Sequence, residues 1–236
     1  MPPAEARVNA AAAEVYLEAG TKRTFASPVE LPGWSRSGRD APAALGALAE
    51  YWPRYRSVLE SAGLPDETRV DPEALVVVET LPGDAGTDFG VPARIPAADG
   101  RPLDEASLDR LETILRACRD EFARVVSSAS GVELRKGPRG GGRDLDTIVD
   151  HVLGAETAYL SRLGAPVTVD GLGRADAAEL VRATAHEALA RAAAAGGVLA
   201  PGPHGGARWP ARYYVRRAAW HLLDHAWEIE DRRVDR

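Results

Sequence analysis

Val215-Arg216-Arg217-Ala218-Ala219-Trp220-His221-Leu222-Leu223-Asp224-His225-Ala226-Trp227-Glu228-Ile229 is the stretch on which the reading of this chain turns. Val215, Ala219, Leu222, Ala226 and Ile229 recur at three- and four-residue steps, the spacing of one face of an α-helix. Taking Leu222 as zero and roughly 100° per residue, His225 falls at about -60° and His221 at about -100°. Both histidines therefore stand at one edge of the buried face, aimed at a neighbouring helix. Tyr213, Trp220 and Trp227 recur every seven residues on another side, and aromatics of that size are seldom left exposed as a row. The helix is thus expected to be buried on two faces. The second face would meet either the N-terminal part of the chain or another subunit, as in a homodimer.

Working outward, this helix is predicted from near Pro210, a favoured first-turn proline, to about Arg232. Three more precede it. One runs from Asp104 to about Ala129, with Leu108, Leu111, Leu115, Cys118, Phe122 and Val125 on its apolar stripe. The next runs from Asp144 to about Leu163, with Leu145, Ile148, Val152 and Ala155 inward. The third covers about Ala175 to Ala194. Four amphipathic helices of this size predict an antiparallel four-helix bundle over residues 104–236. Gly137 to Gly142 reads as a loop between helices. It follows no strand and lacks the Gly-Lys-Ser/Thr ending of a phosphate cradle.

The N-terminal part reads differently. Glu14-Val15-Tyr16-Leu17-Glu18 alternates polar and apolar, the period of a half-buried strand. Arg23 to Ser27 reads as a second strand and Leu75 to Glu79 as a third. Asp40 is placed to cap a helix from Ala41 to about Ser61, which Pro53 must kink or restart. Residues 82–103 hold repeated Gly, Pro and Ala without periodicity, and are expected to be a linker. The fold class is therefore α+β: a small α/β module over residues 1–81, the linker, then the bundle.

Composition narrows the function. The chain has 236 residues, 45% of them hydrophobic, enough for a real core. The formal net charge is -6 and basic and acidic residues are mixed, so no basic stripe is offered to nucleic acid. The single cysteine, Cys118, excludes an intramolecular disulfide and every Cys-rich zinc module. On the stripe of its helix it is expected to be an inert packing residue. No apolar run reaches the roughly 20 residues that span a bilayer, and the first residues lack a signal-peptide pattern. A cytoplasmic protein is expected, acting without membrane or nucleic acid.

His221 and His225, four apart on one helical face, are spaced to close on one ion. His151 lies beside the apolar stripe of the 144–163 helix. If that helix faces the last one, three neutral nitrogens meet. Such a set leaves at least one coordination position open, as in catalytic metal sites, and suits Zn, Ni, Fe or Cu. The plain alternative is three polar residues at the edge of a core. Asp224 and Glu228 are near enough on the wheel to hold the outer N–H of a ligand histidine, or to be simply solvated. Glu156 is about 140° from His151 on its helix and is not expected to join them. His186, on an Ala-rich helix, and His204, in the loop Pro203-His204-Gly205-Gly206, are expected in solvent.

Asp150-His151-Val152-Leu153-Gly154-Ala155-Glu156, followed by Trp220-His221-Leu222-Leu223-Asp224-His225, resembles the DinB-like superfamily. The resemblance covers about residues 104–236. It implies a four-helix bundle with one long crossover and a divalent ion (Zn, Ni or Fe) held by His151, His221 and His225. It also implies thiol-dependent transferase or isomerase chemistry on a small-molecule substrate, with mycothiol as the low-molecular-weight thiol, since abundant alanine and basic charge that is almost all arginine look like the GC-rich coding that actinobacterial members of the family share. The N-terminal segment, through its two strands, Leu31-Pro32-Gly33-Trp34, Gly38 and an alanine-rich helix, resembles a HicB-like module. That implies a second expectation, a non-enzymatic metal-binding or regulatory protein whose N-terminal module binds a protein partner.

Overall fold

The computed structural model describes residues 11–64, 69–136, 142–201 and 206–234, so His204 and most of the 137–142 loop lie outside it. The class is α+β, and the chain divides into two compact units, Met1–Ala98 and Asp99–Arg236.

The first unit is built on a four-stranded mixed sheet. Its strands are β1 (Ala11–Ala19), β2 (Thr24–Pro28), β3 (Arg36–Gly38) and β4 (Val70–Pro82), in the order β3-β2-β1-β4. β1 pairs antiparallel with β2 and parallel with β4. The crossover between β3 and β4 holds α1 (Ala41–Glu50) and α2 (Trp52–Ser61). Asp40 caps α1 by accepting from the Ala43 amide, and the helix restarts at Tyr51, which lets Pro53 sit in the first turn of α2. Trp34 is the centre of the core. Its ring lies 4.7 Å from that of Trp52 and 5.8 Å from that of Tyr55, and its indole N–H donates to the Leu48 carbonyl.

Two expectations change here, and one strand is added. The half-buried alternation of β1 does not hold, because Val15, Tyr16, Leu17 and Glu18 are all buried. β1 has a neighbour on each side, and Glu18 is satisfied inside by the Thr87 hydroxyl and the amides of Ala93 and Arg94. β4 is far longer than Leu75–Glu79, since Pro72 is tolerated on an edge strand at a break in the register with β1. β3 has no hydrophobic signal of its own and exists by pairing with β2. Gly38 is required there, because a Cβ would stand 2.4 Å from the Ala44 amide nitrogen at the start of α1.

The 82–103 segment is structured. α3 (Ala85–Phe89) is closed at its start by a reciprocal Asp84–Thr87 capping box and at its end by Gly90, at φ 113°. A single 3₁₀ turn follows at Ala97–Gly100.

The second unit holds four long helices: α4 (Glu105–Ser128), α5 (Leu145–Leu163), α6 (Arg174–Ala194) and α7 (Ala211–Arg232). Asp104 and Asp144 cap α4 and α5, as their positions before the apolar stripes predict. α7 packs on α4 and α5, and α6 packs on the same two helices. The interior is made by Leu111, Leu115, Cys118, Phe122 and Val125 of α4 and Ile148, Val152 and Leu160 of α5. Ala155, expected inward, is half-exposed, and Glu156 is buried in its place. Glu156 is held there by a short ion pair to the equally buried Arg119 of α4. α7 is buried along most of its length, with Tyr213, Trp220 and Trp227 each under 5% exposed.

Candidate metal centre

α5 and α7 run antiparallel and put three imidazoles in one place. His221 and His225 come from successive turns of α7, and His151 comes from the facing side of α5. The ring centroids stand 5.0 Å apart for His151–His221 and for His151–His225, and 4.6 Å apart for His221–His225. One ligating nitrogen from each ring falls within 4.8 Å of the other two. The Nε2 atoms of His151 and His221 are 3.2 Å apart.

These distances suit a metal ion. At roughly 2.0–2.1 Å from a tetrahedral ion, two nitrogens are about 3.4 Å apart. One pair stands close to that separation, at 3.2 Å, and a nitrogen of the third ring lies within 4.8 Å of both. The rings meet nearly edge-on, at 62° to 89° between planes, so they do not stack on one another.

The surroundings of His221 and His151 favour the neutral imidazole, the form that binds metal. Burial pushes the His221 pKa down to about 2, helped by His225 and Arg217. The His151 pKa is lowered as well, mainly by burial and then by Arg143. Among the described residues, His221 Nδ1 is buried without a hydrogen-bond partner.

His225 is oriented from outside. Its Nδ1 donates to Glu228 Oε2 at 2.8 Å, which leaves Nε2 free to face the other rings. Glu228 is itself held by Arg232, whose other nitrogens donate to the carbonyls of Arg135 and Arg143. The His225 hydrogen bond is the main cause of the lowered Glu228 pKa. Of the two carboxylates expected near the pair, Glu228 is thus the one that grips a histidine, and Asp224 is half-buried on the next face.

The remaining sequence candidates are elsewhere. Glu156 is tied to Arg119. The His186 ring is exposed, with its Nδ1 2.8 Å from Glu112 Oε1. Cys118 is fully buried and its thiol pKa is pushed well up by that burial, so it is no nucleophile.

Sequence reasoning missed Arg217 and Tyr159. Arg217 stands one turn before His221, so Arg217, His221 and His225 form a series at steps of four along α7. Its guanidinium lies 4.5 Å from the centre of the Trp220 ring and 5.4 Å from that of Tyr159. The Tyr159 ring, two turns after His151 on α5, is 5.8 Å from His221. Both spacings were readable, but an arginine in an apolar helix carries no signal until the histidines are known to be a site.

Compared with known protein families, curated proteins and solved structures, the chain shows no match.

Proposed function

We propose that the helical unit is a DinB-like four-helix bundle whose His151, His221 and His225 hold a divalent ion, Zn, Ni or Fe, for thiol-dependent transfer or isomerisation of a small molecule. The observation that carries this reading is the convergence of three imidazole nitrogens within 4.8 Å of one another. Three protein ligands leave a position open for a thiol, such as mycothiol, or for water. A divalent ion supplies Lewis acidity there and lowers the pKa of whatever occupies that position. The residues around it do the rest. Glu228 fixes the tautomer of His225, burial of His221 keeps its nitrogen unprotonated, and half-buried His151 sits on the side open to solvent. Cys118 is sealed in the core, so the thiol comes from outside the chain.

The test is metal analysis of protein purified without an affinity tag, together with thiol-dependent turnover assays. About one ion per chain is expected in the wild type, with metal and turnover both lost in His221→Ala. Full metal content in that variant would overturn the assignment.

One observation favours a second reading, a regulatory protein with a partner-binding N-terminal unit. The edge strand β4 exposes Val76, Val77 and Val78 in succession, by 50%, 42% and 49%. Bare apolar edges of this kind recruit further strands. A stable partner that survives purification, is lost in Val77→Lys, and accompanies a protein without thiol-dependent turnover would support it.

A further inference from the structure

Between α4, α5 and α6 lies a cleft of about 310 Å³, away from the histidines. Arg119, Phe122, Ala123 and Val126 of α4 face it at three- and four-residue steps. Val149, Val152, Leu153 and Glu156 do the same from α5, and buried Leu222 of α7 lines it too. At roughly 100° per residue, His151 stands about 150° round α5 from the middle of that face. The cleft exists because α6 brings little volume to it: Ala178, with Arg174 and Arg182 one turn to either side. Ala123 on α4 is equally short, and close packing fails where small side chains meet.

The lining is mostly apolar, with one ion pair set into it. Arg119 and Glu156 are 12% and 10% exposed at their side chains. Arg119 Nε donates to Glu156 Oε1 at 2.9 Å. Arg119 Nη2 stands 2.9 Å from the same oxygen, yet among the described residues it is buried without a hydrogen-bond partner. The bond from Nε uses Oε1, which leaves Oε2 as an acceptor. A buried donor left unpaired is costly, so a ligand that answers it gains affinity. The other cations are already paired, Arg174 with Asp146 and Asp150 and Arg182 with Glu179. The cleft thus offers an anion or a cation no unanswered charge. It offers one donor and one acceptor side by side, which a hydroxyl matches.

We propose that this cleft binds an uncharged small molecule, an apolar body ending in a hydroxyl that accepts from Arg119 Nη2 and donates to Glu156 Oε2. An apolar cavity of about 150 Å³ takes benzene, so this one takes roughly ten to twelve non-hydrogen atoms.

Phenylpropanol, phenylpropionate and propylbenzene, three probes of similar size, test this on the full chain by NMR titration of the Val and Leu methyl signals. The wild type is expected to bind phenylpropanol with a Kd below about 1 mM, at least about tenfold more tightly than the other two. Ala178→Phe fills the cleft and should weaken phenylpropanol at least about tenfold, with the urea midpoint unchanged or raised. Arg119→Met with Glu156→Leu, an apolar pair of similar volume that keeps the fold, should bind propylbenzene at least as well as phenylpropanol. Absence of phenylpropanol binding in the wild type, equal affinities for the three probes, or a preference that survives the double variant would overturn the proposal. So would self-association of the wild type that Ala178→Phe abolishes, which would seat a second copy of the chain on the cleft.

Discussion

Removing the Asp99 carboxylate should cost the helical unit a large part of its stability. Asp99, in the 3₁₀ turn, is 1% exposed at its side chain, and Arg216 of α7 is 9% exposed. The pair is bidentate, with Arg216 Nε and Nη2 each 2.8 Å from a carboxylate oxygen. Asp99→Ala leaves that guanidinium buried without its counter-charge, a change that typically costs about 3–5 kcal/mol. For a unit of this size each kcal/mol moves the melting point by about 3–4 °C, so the loss is about 10–20 °C. Urea unfolding followed by circular dichroism, which the four long helices dominate, measures it. The double variant Asp99→Leu with Arg216→Met should recover most of the loss, because an apolar pair of similar volume removes both burial penalties. An Asp99→Ala protein within about 1 kcal/mol of the wild type would refute the reasoning, since surface pairs are worth that little.

The other predictions concern the histidine site. Glu228→Gln should weaken metal binding by about 10–100-fold, measured by competition with a chelating dye, because a carboxylate partner of a ligand histidine is typically worth that much. Metal-free protein should lose stability in acid. The His221 pKa is about 2 against an ordinary 6.5, so the unfolded chain takes up a proton first as pH falls, and stability present above 6.5 drains away below it. Between pH 7.5 and pH 5 this one group accounts for at most about 2 kcal/mol, to be read as the difference in urea midpoints between wild type and His221→Leu. Cys118→Ala should leave thiol-dependent turnover unchanged, and in the native wild type Cys118 should resist a thiol reagent until the helices unfold.

The long helices were legible because they carry local evidence: α4 and α5 a cap aspartate and a 3.6-residue stripe, and α7 a stripe that begins just after Pro210. The site was legible for a related reason, since ligand spacing on a helix is fixed by the same periodicity that buries its face. What was hidden depends on partners distant in sequence. Glu18 looked like the polar half of an alternating strand, and its burial is affordable because the 82–98 segment brings in the Thr87 hydroxyl and the amides of residues 93 and 94. Glu156 and Arg119 are 37 residues apart and Arg216 and Asp99 are 117, and neither pair leaves a local trace. β3 is three polar residues long and is defined by its neighbour alone. The contact of Glu228 with His225 is a matter of side-chain conformation, which a helical wheel does not contain.

X-ray absorption at the metal edge of protein purified without a tag tests the central claim most directly. The account predicts three imidazole nitrogens at about 2.0–2.1 Å plus one light, exchangeable ligand, and a shift of that ligand to sulfur when a thiol is added. A shell made only of oxygen, or one unchanged by His151→Ala, would contradict it.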